Sequence, residues 1–126
     1  MTNPVDLSKR VGSSGEAALG PDESGALTTY LLYGVLAPYE TGRRLRPGSG
    51  REEILFVING DLRLEGPAVG EMVCKEGTAV LLQEGSDQWL SNLTNGAARY
   101  VLAGGFTEPA RFYRWMQSQQ LAQAPR

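Results

Sequence analysis

From Leu27 to Ala103 the chain reads as short apolar runs of strand length, each closed within a few residues by Gly, Pro, Asn or Asp. This punctuation is the strongest constraint on the fold. Runs so short cannot build long helices. Strands recurring about every 8–12 residues, with turn chemistry between them, build an all-β sandwich or barrel. Residues 27–36, Leu-Thr-Thr-Tyr-Leu-Leu-Tyr-Gly-Val-Leu, are β-branched, aromatic and apolar almost throughout, which suits a strand buried on much of both faces. Pro38 and Gly42 end it. Glu53 to Ile58 is a second strong strand. Asn59-Gly60-Asp61 follows, and because Asn and Gly tolerate positive φ, Leu62–Glu65 is expected to return as a hairpin. Val69–Lys75 and Thr78–Leu82 flank the turn Glu76-Gly77. Gln88–Leu93 and Ala98–Ala103 flank Thr94-Asn95-Gly96.

The two ends differ from the middle. Residues 1–26 are polar and rich in Gly, Ser and Ala, and read as an arm with at most a short strand near Ser8–Val11. Residues 107–126 read as a helix and tail. Pro109 fits a first helical turn, and Phe112, Trp115 and Met116 recur at helical spacing to give one apolar stripe. A chain of 126 residues fits one domain with one core.

The balance of charge is -2, so nothing draws the chain globally to nucleic acid or to an anionic membrane. No apolar run approaches the ~20 residues that span a bilayer. Cys74 is alone, which excludes an intramolecular disulfide and fits a reducing compartment. Met1–Asp6 lacks the basic and apolar regions of a signal peptide, so the expected location is cytoplasmic. There is no histidine. A Ser-His or Cys-His nucleophilic pair is therefore impossible.

Two segments within residues 42–92 carry a family pattern. In the first, Glu53-Ile54-Leu55-Phe56-Val57-Ile58-Asn59-Gly60 sets a glutamate seven residues before a glycine, and Arg44, Arg46, Pro47, Gly48 and Ser49 lie upstream. In the second, Gly77, Gln83, Gly85, Gln88 and Asn92 fall at fixed spacing. These segments resemble the two motifs of the cupins, small β-barrels whose enzymes usually hold a metal on three histidines and a glutamate. The resemblance implies a cupin-type jelly-roll β-barrel over 27–106, with one C-terminal α-helix.

It also implies that Glu53 is the retained glutamate, that Gln88 replaces the second motif's histidine, and that Gln83 replaces its proline. Aligning Arg44 and Arg46 with the first motif's two histidines requires a loop about two residues longer than usual. A gapless alignment places Pro47 and Ser49, or Arg46 and Gly48, there instead. Arginine offers no lone pair to a metal, and one carboxylate with neutral amides is too little for zinc, iron or nickel. No metal and no cofactor are expected.

The ligand-binding candidates are Arg44, Arg46, Glu53, Gln88 and Asn92. Arg44 and Arg46 share a strand face. Turned inward they make a cationic pocket, and turned outward they are solvated charges. Glu53 is either a pocket base or the partner of a barrel arginine, or else a carboxylate kept for turn or strand pairing or pointing to solvent beside Glu52. Gln88 contacts a ligand or fills the old metal space against Glu53. Tyr30, Tyr33 and Tyr39 line the pocket or pack in the core. Trp89, alternating with Gln88, faces the other side.

The leading expectation is a metal-free cupin-like protein that binds a small polar or anionic molecule and forms a homodimer. One alternative is a metal-independent isomerase, epimerase or cyclase using Glu53. The other is a structural or regulatory dimer whose ancestral site is dead.

Overall fold

The computed structural model describes residues 4–25 and 28–107. The helix expected over 108–122 lies outside the described residues. Nine strands occur among them: β1 (Glu16–Leu19), β2 (Thr29–Leu36), β3 (Arg43–Leu45), β4 (Arg51–Asn59), β5 (Leu62–Gly66), β6 (Gly70–Cys74), β7 (Ala79–Leu82), β8 (Gln88–Asn92) and β9 (Ala98–Phe106). They form two antiparallel sheets, one of five strands in the order β1-β2-β9-β4-β7 and one of four in the order β3-β8-β5-β6.

Alternation along each strand decides which side chains meet between the sheets. On β4 the buried set is Glu53, Leu55 and Val57, while Ile54, Phe56 and Ile58 face outward. Leu36, Leu55, Leu62, Leu64, Leu82, Leu90 and Tyr100 are fully buried and fill the space between the sheets. Each such side chain contributes roughly 1.5–3 kcal/mol of burial.

The hairpin expected at Asn59-Gly60-Asp61 is not formed. β4 pairs with β9 and β7, whereas β5 pairs with β6 and β8. The turn instead carries the chain from one sheet to the other. A register shift between Val57 and Asn59 and a φ of 94° at Gly60 redirect the backbone there. The segments after β3, β6 and β8 likewise cross between sheets, which is the weave of a jelly roll.

The arm also differs from expectation. The segment near Ser8 is a 3-10 turn at Leu7–Lys9 with Leu7 buried, and the strand lies further on, at β1. A turn from Gly12 to Gly15, with Gly15 at a φ of 78°, sets β1 beside β2 in the same chain, with Glu16 opposite Gly34 and Ala18 opposite Leu32.

Candidate functional site

The site begins with two reciprocal pairs across β2 and β9. Tyr30 lies opposite Gly104, and Gly34 lies opposite Tyr100. Each tyrosine ring lies flat on its glycine. A Cβ built on Gly104 would sit 2.0 Å from Tyr30 Cζ, and one built on Gly34 would sit 2.0 Å from Tyr100 Cζ. Only glycine leaves room for that approach. The rings then carry their hydroxyls to carboxylates. Tyr30 donates to Glu53 Oε2 at 2.5 Å, and Tyr100 donates to Glu16.

An arginine completes each group. The Arg51 guanidinium lies 5.4 Å from the centroid of the Tyr30 ring. Arg43 donates to the Tyr100 hydroxyl at 3.2 Å, to the carbonyls of Gly15 and Val35 at 3.1 and 3.0 Å, and to Glu40 at 2.7 Å. Burial, then the neighbouring carboxylate, pushes both phenols well above the ordinary tyrosine range. Both therefore act as hydrogen-bond donors at neutral pH, not as bases.

The two groups differ in access. Tyr100 is fully buried, and its group ties the arm and β3 to the barrel. The Tyr30 group opens into a cavity of about 370 Å³. Ala18, Leu32 and Phe106 give that cavity its apolar wall, and Tyr30, Arg51 and Glu53 its polar one. Glu53 is only 5% exposed. A larger hollow of about 530 Å³, bordered by Leu31, Glu52 and Ile54, opens on the outer side of the first sheet, where Glu52 and Ile54 are exposed.

Of the five candidate residues, Glu53 alone lines the cavity. Arg44 is exposed and makes a two-pronged pair with Asp87, at 2.7 Å from Nε and 2.6 Å from the terminal nitrogen. That pairing holds the Asp87 carboxyl below the usual range. Arg46 is exposed beside it. The physical reason is register. Arg43 opposite Leu90 and Leu45 opposite Gln88 take the inward positions of β3, so Arg44 turns outward opposite Trp89.

Gln88 is fully buried. Its amide nitrogen donates to Leu45 O at 2.6 Å and to Ser86 O at 3.4 Å, and its Oε1 has no hydrogen-bond partner among the described residues. Asn92 is consumed by its own turn. It donates to the carbonyls of Ala37 and Gly96 at 3.0 and 2.8 Å and accepts from Thr94 N and Oγ1 at 2.9 and 2.6 Å.

Arg51 and Arg43 join the site although neither is singled out by the sequence motifs. Arg51 has a legible signal, since it stands two residues before Glu53 and so shares its strand face. Arg43 has none, because the sequence leaves either parity of β3 open.

Residues at the metal positions of the resembled motifs do not fit a metal. Glu53 and the Gln88 amide oxygen are two weakly matched donors, and the Arg51 guanidinium lies over the ring of the tyrosine that bonds the carboxylate. Among the described residues no three His, Cys, Asp or Glu side chains come together.

No family model matches the sequence, and no curated protein matches it. Solved structures do. The Schizosaccharomyces pombe Cnp3 cupin domain superposes with a TM-score of 0.62 at 12% identity, covering 79% of this chain and 68% of that one. The chain has the cupin fold. Other structures of similar fold include a predicted oxalate decarboxylase from Thermotoga maritima, with a TM-score of 0.60, 14% identity, and 72% and 78% of the two chains covered. An oxalate oxidase in complex with the substrate analogue glycolate matches with a TM-score of 0.64 at 19% identity, over 83% of this chain and 60% of that one. The chain thus shares its architecture with proteins of differing roles, and its own chemistry rests on its own pocket.

Proposed function

We propose that this cupin binds a small polar molecule in the Glu53 pocket without a metal. One observation carries the reading: a carboxyl group that is 5% exposed, beside a cavity of about 370 Å³, receives one hydrogen bond, from Tyr30, among the described residues. A carboxylate offers about four acceptor positions. Withdrawing one from water costs several kcal/mol unless partners replace the water, and a ligand donor is such a partner. The enzyme alternative has less support. An acid and base working across a substrate stand on opposite sides of it, whereas Tyr30 and Glu53 are bonded to each other on one wall.

The test is a thermal-shift screen of small metabolites, with native mass spectrometry for a co-purified ligand. A true ligand at a hundredfold excess over its dissociation constant stabilises the protein by ~2.7 kcal/mol. Glu53→Gln should remove that shift and Arg44→Ala should keep it. A broad screen with no stabilising compound and no co-purified mass would refute the reading.

A second feature supports the homodimer. Ile54, Phe56, Ile58 and Leu81 are 47%, 40%, 37% and 49% exposed on the outer face of the first sheet, and Ile54 and Leu81 are direct cross-strand partners. A contiguous apolar sheet face of this kind is a protein-interaction surface. This face is the contact we propose. Light scattering should report a dimer, and Phe56→Lys a monomer. A wild-type monomer at micromolar concentration would count against it.

A further inference from the structure

The Glu53 pocket has two poles of opposite sign. Arg51 and Glu53 occupy the same face of β4 two residues apart, about 6.6 Å along a strand. They do not form an ion pair with each other, and Arg51 has no ion pair among the described residues. Tyr30 stands between their roles. Its ring takes the guanidinium on its face, and its hydroxyl takes the carboxylate. Each pole is thus held in place by the same side chain and keeps unused hydrogen-bonding capacity. Arg51 has five donors, and Glu53 has acceptor positions beyond the one that Tyr30 fills. Apart from Gly20 and Thr28, the rest of the wall is apolar. Ala18 and Leu32 face each other across β1 and β2, and Phe106 stands opposite Arg51.

We infer that the pocket takes a bipolar small molecule of the amino-acid type, with its ammonium group on Glu53, its carboxylate on Arg51 and an apolar side chain against Leu32 and Phe106. The inference rests on the reading of this pocket as a binding site. It narrows the ligand by sign. A simple anion drawn to Arg51 would lie beside the Glu53 carboxylate, and a simple amine drawn to Glu53 would lie beside the guanidinium. In each case one pole is left beside a like charge, and the other pole goes unused, Glu53 in its buried position and Arg51 at the exposed rim. A zwitterion satisfies both with two charge-assisted hydrogen bonds, each about 2.8 Å long. The cavity is at the small end of ligand pockets, which suits a free amino acid better than a nucleotide or a peptide.

The experiment is calorimetric titration of the dialysed full-length protein at neutral pH with the common amino acids. Leucine is followed by leucinamide, which lacks the carboxylate, and 4-methylpentanoate, which lacks the ammonium group. An apolar amino acid should bind, and each one-pole analogue should bind roughly 10- to 100-fold more weakly. Arg51→Gln should weaken leucine toward the level of leucinamide and, with the like charge gone, leave leucinamide bound at least as tightly as in wild type. Glu53→Gln should do the converse, with 4-methylpentanoate as its reference. If 4-methylpentanoate binds wild type as tightly as leucine, the inference is overturned while the pocket still binds ligand. It is overturned equally if no amino acid binds but another compound of the broad screen does. If nothing binds the folded protein, both readings fail. The wild-type titrations decide between these outcomes even if a variant folds poorly.

Discussion

Replacing Gly34 with alanine tests whether the tyrosine-on-glycine pairs are structural necessities, and whether the two pairs differ as their surroundings require. Gly34 has an ordinary φ, so alanine is acceptable to the backbone itself. The new Cβ would lie 2.0, 2.3 and 2.5 Å from Cζ, Cε1 and the hydroxyl oxygen of Tyr100. Favourable carbon contacts lie at about 3.5–4.0 Å, so the ring must move by roughly 1.5 Å or more. It has nowhere to go, because Tyr100 is 0% exposed and tethered to Glu16 and Arg43. Overpacking costs about 1–3 kcal/mol. Disturbing hydrogen bonds to charged partners adds about 1.5–3 kcal/mol, toward the lower value here because Glu16 is only half-buried and regains water. A total near 3–4 kcal/mol corresponds to a fall of roughly 10–15 °C in melting temperature for a chain of this size. Gly104→Ala makes the same 2.0 Å clash with Tyr30. That ring borders the cavity and can swing into it, so the cost should be about 1–2 kcal/mol. Urea unfolding followed by circular dichroism measures both, with an unchanged m value as the check on two-state behaviour. In a double-mutant cycle, truncating Tyr100 should cost less in the Gly34→Ala background than in wild type. The reasoning fails if Gly34→Ala costs under ~1 kcal/mol, or if Gly104→Ala costs more than Gly34→Ala.

Three further outcomes are expected. In a spectrophotometric titration of the native protein, Tyr30 and Tyr100 should stay protonated after ordinary phenols near pH 10.0 have ionised. Because their folded values are raised, the stability they contribute is present below about pH 10 and is lost as pH climbs beyond it; all tyrosines ionising together would sink this. Arg44→Ala should let the Asp87 carboxyl return toward its ordinary value of 3.8, as read by NMR. The pair is exposed, so stability at pH 7 should barely move, and its small contribution disappears as pH falls below the carboxylate range. Elemental analysis should find no stoichiometric transition metal, and a chelator should leave the melting temperature unchanged, since the chain has no histidine; one metal per chain would refute this.

The strands and the cupin architecture were legible in the sequence because they rest on local facts. Short apolar runs mark the strands, as Ile54–Ile58 marks β4, and Gly60 and Gly77 turn the chain wherever they stand. The absence of histidine was legible in the same way, and with it the loss of the resembled metal site. The resembled motif pointed Glu53 inward, but the run Ile54–Ile58 is apolar at every position, so only the packing decided its parity. Partner choice was not legible. Asn59-Gly60-Asp61 makes a turn by local chemistry, yet whether that turn closes a hairpin depends on the edges of β4, and β9 and β7 take both of them. Arg43 and Arg44 are the same residue type one position apart. Which of them is buried depends on a one-residue register against β8, and a one-residue shift exchanges the two faces of a strand. The Tyr30–Glu53–Arg51 group brings β2 and β4 together across β9, joining residues more than twenty positions apart in the chain. Local propensity carries no information over that distance. The packing of the two sheets decided the site.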